Sequence, residues 1–173
     1  VVGVGHLGLF HIQQIKKVAG VDFVGFYDLD EQRASFVVKQ EKVCFFKSVK
    51  SLFALCDAVS IVTPTETHFD LSILAIKNNC HIFVEKPISN SLEKGKKIVS
   101  FAKQKNKIVQ VGHIERFNPA FTTFKTLCSS PLFIESHRLS TYNSRCLDVD
   151  VVLDLMIHDI DLVLNLVGSD VLS

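Results

Sequence analysis

The sequence predicts an α/β fold: a doubly wound parallel sheet followed by the start of an α+β C-terminal domain. Three observations predict it. Short apolar, β-rich runs alternate with helix-length amphipathic segments over roughly the first 115 residues. The runs are almost continuously apolar, as strands covered on both faces are. A glycine-rich turn follows the first run directly.

The runs cover residues 1–4, 23–27, 43–46, 58–62, 81–84 and 108–111. Between them, helical spacing falls on 7–18, 31–39, 51–55, 68–77 and 91–105. Right-handed crossovers through such helices wind the sheet in both directions. The pattern changes after about residue 115, where Asn118 suits an N-cap and Pro119 the first helical position. A strand-like run at 132–139 and an apolar helix over 151–167 complete the chain. We expect domains at 1–115 and 116–173, the second continuing past residue 173. Residue 1 already reads as strand, so chain is expected ahead of it as well.

Composition narrows the function. Of 173 residues, 47% are hydrophobic and 21% charged, the balance of an ordinary globular protein. A net charge of +1 predicts no nucleic-acid partner and no acidic-membrane partner. No apolar run reaches the roughly 18 residues of a membrane span. Lys94, Lys96, Lys97, Lys103, Lys105 and Lys107 read as a solvated helix face. The cysteines are Cys44, Cys56, Cys80, Cys128 and Cys146, an odd set without a C-x-x-C pair. They read as reduced, mostly buried thiols of a cytoplasmic protein, with no zinc spacing and no metal site.

The opening Gly3-Val4-Gly5-His6-Leu7-Gly8 is a G-x-G-x-x-G between a strand and a helix. Gly3 allows the tight turn, Gly5 lets backbone approach a pyrophosphate, and Gly8 lets the helix pack closely. The helix start would aim free N–H groups at phosphate. Asp28 stands 20 residues beyond Gly8, at the end of the second run. A carboxylate there accepts the adenosine ribose hydroxyls and repels a 2′-phosphate, so NAD is expected over NADP. The other reading of Asp28 is a helix cap. The fourth run ends in Thr63-Pro64-Thr65, whose hydroxyls face the ligand end of such a sheet, or which simply start a helix. The fifth runs into Glu85-Lys86-Pro87, two opposite charges ahead of a proline.

With these motifs the sequence resembles the glucose–fructose oxidoreductase / inositol dehydrogenase / rhizopine catabolism (Gfo/Idh/MocA) family. The resemblance rests on the glycine turn, Thr63-Pro64-Thr65 with His68, and the run from His81 through Glu85-Lys86-Pro87-Ile88. It continues through Gly112-His113-Ile114-Glu115-Arg116-Phe117-Asn118-Pro119 and Asp154-Leu155-Met156-Ile157-His158-Asp159. The last two pieces look most like the nucleotide-sugar branch. The resemblance implies an NAD-dependent oxidoreductase acting on a sugar or nucleotide-sugar hydroxyl, a homo-oligomer at full length. It implies a cofactor groove formed by Gly3, Gly5, His6, Leu7, Gly8, Asp28, Thr63, Pro64, Thr65 and His68. Glu85, Lys86, Arg116 and Asn118 would stand near the nicotinamide or substrate, and the peptide before Pro87 is often cis in such proteins.

Asp154 and His158 are four residues apart and would share one helix face. An Asp–His pair that merely stabilises the helix is one reading. The chemical reading starts from alcohol oxidation, which passes hydride to nicotinamide and releases a proton. An imidazole, with an ordinary pKa of about 6.5, can take that proton. Lys86 would stabilise the developing alkoxide, and Asp154 would orient His158 or grip a sugar hydroxyl. Two alternatives share the scaffold: an NAD-retaining glycosidase or cofactor-recycling oxidoreductase, and a non-catalytic dinucleotide-binding module.

Overall fold

The computed structural model describes residues 1–128, 131–139 and 149–172. The chain forms two compact units, Val1–Val111 and Gly112–Ser173.

In the first unit, β1 (Ala58–Ile61), β2 (His81–Val84) and β3 (Val109–Val111) pair in parallel in the order β1-β2-β3. The runs at 1–4, 23–27 and 43–46 extend this sheet through single parallel bridges rather than full strands: Val2 with Ile61, Val2 with Tyr27, and Phe26 with Phe45. Backbone hydrogen bonds of 2.8 to 3.0 Å hold them, such as Val62 N to Val2 O and Phe46 N to Phe26 O. Glycines with positive φ interrupt the extended backbone of the first two, Gly3 at +84° and Gly25 at +155°. Across the sheet the six segments follow the chain order 3-2-1-4-5-6, the doubly wound arrangement.

Helices α1 (His6–Ile15), α2 (Glu31–Glu41), α3 (Val49–Phe53), α4 (Thr65–Lys77) and α5 (Leu92–Gln104) connect these segments. Helix α4 starts three residues earlier than its apolar spacing suggests, because Pro64 sets the turn into it. Two apolar clusters form the core. One gathers Leu52, Phe53, Ala75, Ile76, Ile98 and Ala102 of α3, α4 and α5 around Val59, Ile61, Ile82 and Val84. The other packs Ile12, Ala34 and Val37 of α1 and α2 on Val1, Val4 and Phe26. Side chains alternate along a strand. Val59 and Ile61 therefore face the α4–α5 layer while Ser60, between them, faces α1.

The second unit contains a 3-10 turn (Ile114–Phe117), α6 (Pro119–Leu127), a π-helical turn (Val152–Met156) and α7 (Ile157–Val167). Asn118 does cap α6: its Oδ1 accepts from Ala120 N at 3.0 Å, with Pro119 at the first helical position. Two expectations need correction. Residues 132–139 form no strand; they have no partner strand among the described residues, and Leu132, Phe133 and Leu139 are almost fully exposed. The helix expected over 151–167 is not uniform, since its first turn winds as π before α7 begins.

The cysteines also differ from the expectation of mostly buried thiols. Cys44, Cys56, Cys80 and Cys128 are free, but only Cys80 is buried. Its thiol lies 3.1 Å from Cys56 O, and burial raises its pKa. Cys146 lies outside the described residues. Among the described residues no helix is long and apolar enough to cross a membrane, and no cluster of metal-ligating side chains occurs.

Candidate functional site

The site begins at the glycine turn. Gly3 needs its positive φ, and a Cβ there would lie 2.5 Å from Val62 O. A Cβ on Gly8 would collide with the Gly3 carbonyl, so only glycine lets α1 settle on the turn. Gly5 is different. It is the N-cap of α1, is exposed, and a Cβ there would meet nothing within 4 Å. No side chain caps α1, so its first N–H groups face open space. Open approach, uncapped amides and a helix dipole together fit a pyrophosphate.

Asp28 closes the other side of the turn. Its Oδ2 accepts from Val4 N at 2.6 Å and its Oδ1 from Asp30 N at 2.8 Å. The helix cap of α2 is Asp30, which accepts from Gln32 N and Arg33 N. The capping alternative for Asp28 therefore falls away. Each carboxylate oxygen keeps a lone pair for a ribose hydroxyl.

A cleft of about 840 Å³ opens here, within the size range of ligand sites. Gly3, Gly5, Asp28, Thr63 and Pro64 line it, as the sequence suggests, and so do Glu66 and Asp70, which sequence reasoning missed. Their signal was available: both stand in the first turns of α4, four residues apart, beside Thr63-Pro64. Three carboxylates and no lysine or arginine line the cleft, a poor setting for a 2′-phosphate. Arg33 was missed too. Its Nε donates to Val4 O at 2.8 Å and its Nη2 to Gly5 O at 3.4 Å, so the guanidinium braces the turn.

The remaining predicted residues take varied positions. His6 stacks edge-on against Phe10 at 4.9 Å, and Leu7 is exposed. Thr63 Oγ1 bonds Thr67 Oγ1 at 2.6 Å. Thr65 and His68 are buried at the start of α4 and are not among the cleft-lining residues. His68 instead lies between two backbone carbonyls, Nδ1 at 2.8 Å from Pro87 O and Nε2 at 2.8 Å from Thr63 O. The ring is wedged between the Thr63-Pro64 turn and the Lys86-Pro87 segment, whose peptide bond is cis, and a neutral ring donates to one of the two carbonyls. Glu85 and Lys86 sit half-buried just past the end of β2, on the ligand side of the sheet.

In the second unit, Arg116 makes a two-pronged contact with the buried Asp161, Nε to Oδ2 at 2.6 Å and Nη2 to Oδ1. This charge-assisted pair holds the guanidinium firmly protonated, its pKa raised by the hydrogen bond to Asp161. Asn118 spends Oδ1 on the cap and donates Nδ2 to Glu115 at 3.1 Å. Both side chains therefore have structural work: the cap at Asn118 was expected, whereas the Arg116–Asp161 pair was missed, with Asp161, an acid in an apolar helix, as the visible clue. Asp154 lies in the π turn and His158 in α7, both half-buried. A π turn bonds i to i+5, so four-residue spacing no longer guarantees a shared face.

A strand–glycine turn–helix with an acid beside the turn, on a parallel 3-2-1-4-5-6 sheet, defines a Rossmann-type dinucleotide-binding fold. The chain belongs to the Gfo/Idh/MocA oxidoreductases: that family's model, an oxidoreductase family with an NAD-binding Rossmann fold, matches residues 1–113. NAD is the dinucleotide of this domain. The chain is 38% identical over 171 residues to UDP-N-acetylglucosamine 3-dehydrogenase of Acidithiobacillus ferrooxidans, covering 98% of this chain and 54% of that one. A solved structure of that enzyme superposes with a TM-score of 0.90, covering 99% of this chain and 57% of its own. The chain is also 30% identical to the NAD(+)-dependent scyllo-inositol 2-dehydrogenase of Bacillus subtilis, again over 54% of the relative. It thus spans about half the length of the curated relatives it matches.

Proposed function

We propose that this chain carries the cofactor half of an NAD-dependent dehydrogenase that oxidises a ring hydroxyl of a nucleotide sugar, with UDP-N-acetylglucosamine oxidised at C3 as the leading substrate. The observation that carries the reading is the open, uncapped Gly5 turn facing Asp28, in a chain alike along 98% of its length to a dehydrogenase of that substrate.

Gly3, Gly5 and Gly8 shape the pyrophosphate seat, and Asp28 takes the ribose. Held there, NAD would supply the acceptor for the hydride of the hydroxyl-bearing carbon. The protein handles the proton. His158 takes it from the hydroxyl, Asp154 orients His158 or holds a neighbouring hydroxyl, and the Lys86 ammonium steadies the oxygen as negative charge builds. Arg116 and Asn118 serve this chemistry by shaping the segment between the 3-10 turn and α6. We place the reaction in the cytoplasm, a setting that suits the free thiols, and in a homo-oligomer of the full-length protein.

The test is NADH formation at 340 nm by the full-length protein with UDP-N-acetylglucosamine, beside scyllo-inositol and free sugars. Accumulating NADH with the nucleotide sugar, lost by at least about a hundredfold in Lys86→Met and His158→Ala, is the expected result. Turnover that leaves NAD unchanged in amount would point to the cofactor-retaining chemistry instead. Unaltered rates in Lys86→Met would remove the mechanism.

A further inference from the structure

His11 has no part in the proposed reaction, yet both its ring nitrogens have side-chain partners on the sheet. It stands on α1 three residues past Gly8, so both project toward the sheet. Gly8 lets the helix approach, and His11 thereby reaches the rung where Ser60 of β1 faces Phe83 of β2. Its Nδ1 is 2.8 Å from Ser60 Oγ and its Nε2 is 3.0 Å from Glu85 Oε1. The Phe83 ring lies edge-on at 5.4 Å. The His11 and Glu85 side chains are 19% and 15% exposed, and Ser60 is buried.

For a neutral imidazole beside an ionised carboxylate, counting donors assigns the roles. An ionised carboxylate only accepts, so Nε2 carries the hydrogen toward Glu85. The neutral ring then has a lone pair on Nδ1, and the Ser60 hydroxyl can rotate to donate to it. The second Glu85 oxygen, Oε2, accepts from the backbone N–H of Lys86 at 3.3 Å. The result is a continuous chain: the Ser60 hydroxyl donates to His11, His11 donates to Glu85, and the Lys86 amide donates to Glu85. It links the helix of the glycine turn to the segment that bears Lys86.

We propose that His11 is a positioning residue for Lys86, acting through the Glu85 carboxylate, with Ser60 selecting the ring tautomer. The proposal rests on the role given to Lys86 above. It accounts for three polar groups placed between α1 and the sheet, where apolar side chains would pack at lower desolvation cost.

The experiment compares His11→Leu, His11→Gln, Ser60→Ala and Lys86→Met in the full-length protein. Leucine fills the space without a donor, whereas glutamine keeps an N–H within reach of Glu85. His11→Leu is expected to lower kcat about tenfold to a hundredfold while the Kd for NAD stays within about threefold, and His11→Gln to recover most of the loss. In ¹⁵N-histidine spectra of the unsubstituted protein, the resonance that His11→Gln removes should show the Nε2–H tautomer, and Ser60→Ala should mix the tautomers. Equal kcat in the leucine and glutamine variants, at matched folded fraction, would overturn the proposal. So would an Nδ1–H tautomer in the unsubstituted protein. Full turnover in Lys86→Met would instead defeat the reading of Lys86 itself, and this proposal with it.

Discussion

Three glycines within six residues illustrate how one residue type serves different physical ends. Gly8 is a packing glycine: an added methyl would strike the Gly3 carbonyl, and backbone there cannot yield cheaply. Gly5 is a ligand glycine, because an added methyl would point into open space. Gly8→Ala should therefore destabilise the fold by about 1–3 kcal/mol, read from urea unfolding, and abolish NAD binding as a consequence. Gly5→Ala should leave the unfolding midpoint nearly unchanged and weaken NAD about tenfold or more by calorimetry, about 1.4 kcal/mol. Equal NAD affinity in Gly5→Ala would mean that the pyrophosphate does not sit at this turn. The motif and the part each glycine plays were legible from spacing alone, and the structure adds what each absent Cβ would meet. His68 is a different case. Its place after Thr63-Pro64 suggested the groove, and the structure buries it between two backbone carbonyls instead.

Among elements, the segment around residues 131–139 and helix α7 shows how irregular chain is held. Arg138 Nε and Nη2 donate to Asp159 at 2.8 and 3.0 Å, the fullest tie between that segment and α7. The hydrogen bonds from Arg138 hold the Asp159 carboxyl below its ordinary pKa. A carboxyl depressed on folding contributes stability above its unfolded pKa and loses it as pH falls through the folded value. Asp159→Asn should thus cost roughly 1 kcal/mol at about pH 7, and the difference from the unsubstituted protein should start to shrink below about pH 4, the unfolded carboxyl's range, and go on shrinking as pH falls through the folded value. Urea titrations at a series of pH values from neutral downward check this. A deficit independent of pH would show that the asparagine perturbs packing rather than charge. Both groups are partly exposed, so the effect is modest. The π turn ahead of α7 is the element that sequence periodicity could not reveal. Apolar residues satisfy α and π winding alike, and the choice is made by how the turn packs.

At the level of the whole molecule, ligand effects should follow the sheet order rather than the chain order. The turn at residues 3–8, the strand end at 27–30 and the stretch at 62–67 are remote in sequence but border one cleft. Saturating NAD should slow amide hydrogen exchange in those three stretches together and leave α6 and the pairing of β2 with β3 largely unchanged. Uniform protection along the chain would argue for general stabilisation instead of a site here. The parallel order 3-2-1-4-5-6 brings the three stretches together, because it puts the carboxyl ends of neighbouring segments side by side where the strand order reverses, between segments 1 and 4.

By itself the sequence determined the fold class, the glycine turn, the acid that faces it, the α6 cap at Asn118 and the membership of a dehydrogenase family. All of these are local patterns, written in residues close together or at fixed spacing. Only the tertiary structure decided that His11 reaches Glu85, that Asp161 takes the Arg116 guanidinium, that Glu66 and Asp70 border the cleft, and that the first three runs pair through single bridges. Those outcomes depend on which side chains meet across the fold. Hydrogen-bond partners are chosen by distance in space, and residues 45 or 74 positions apart in the chain carry no periodic signal that they will touch.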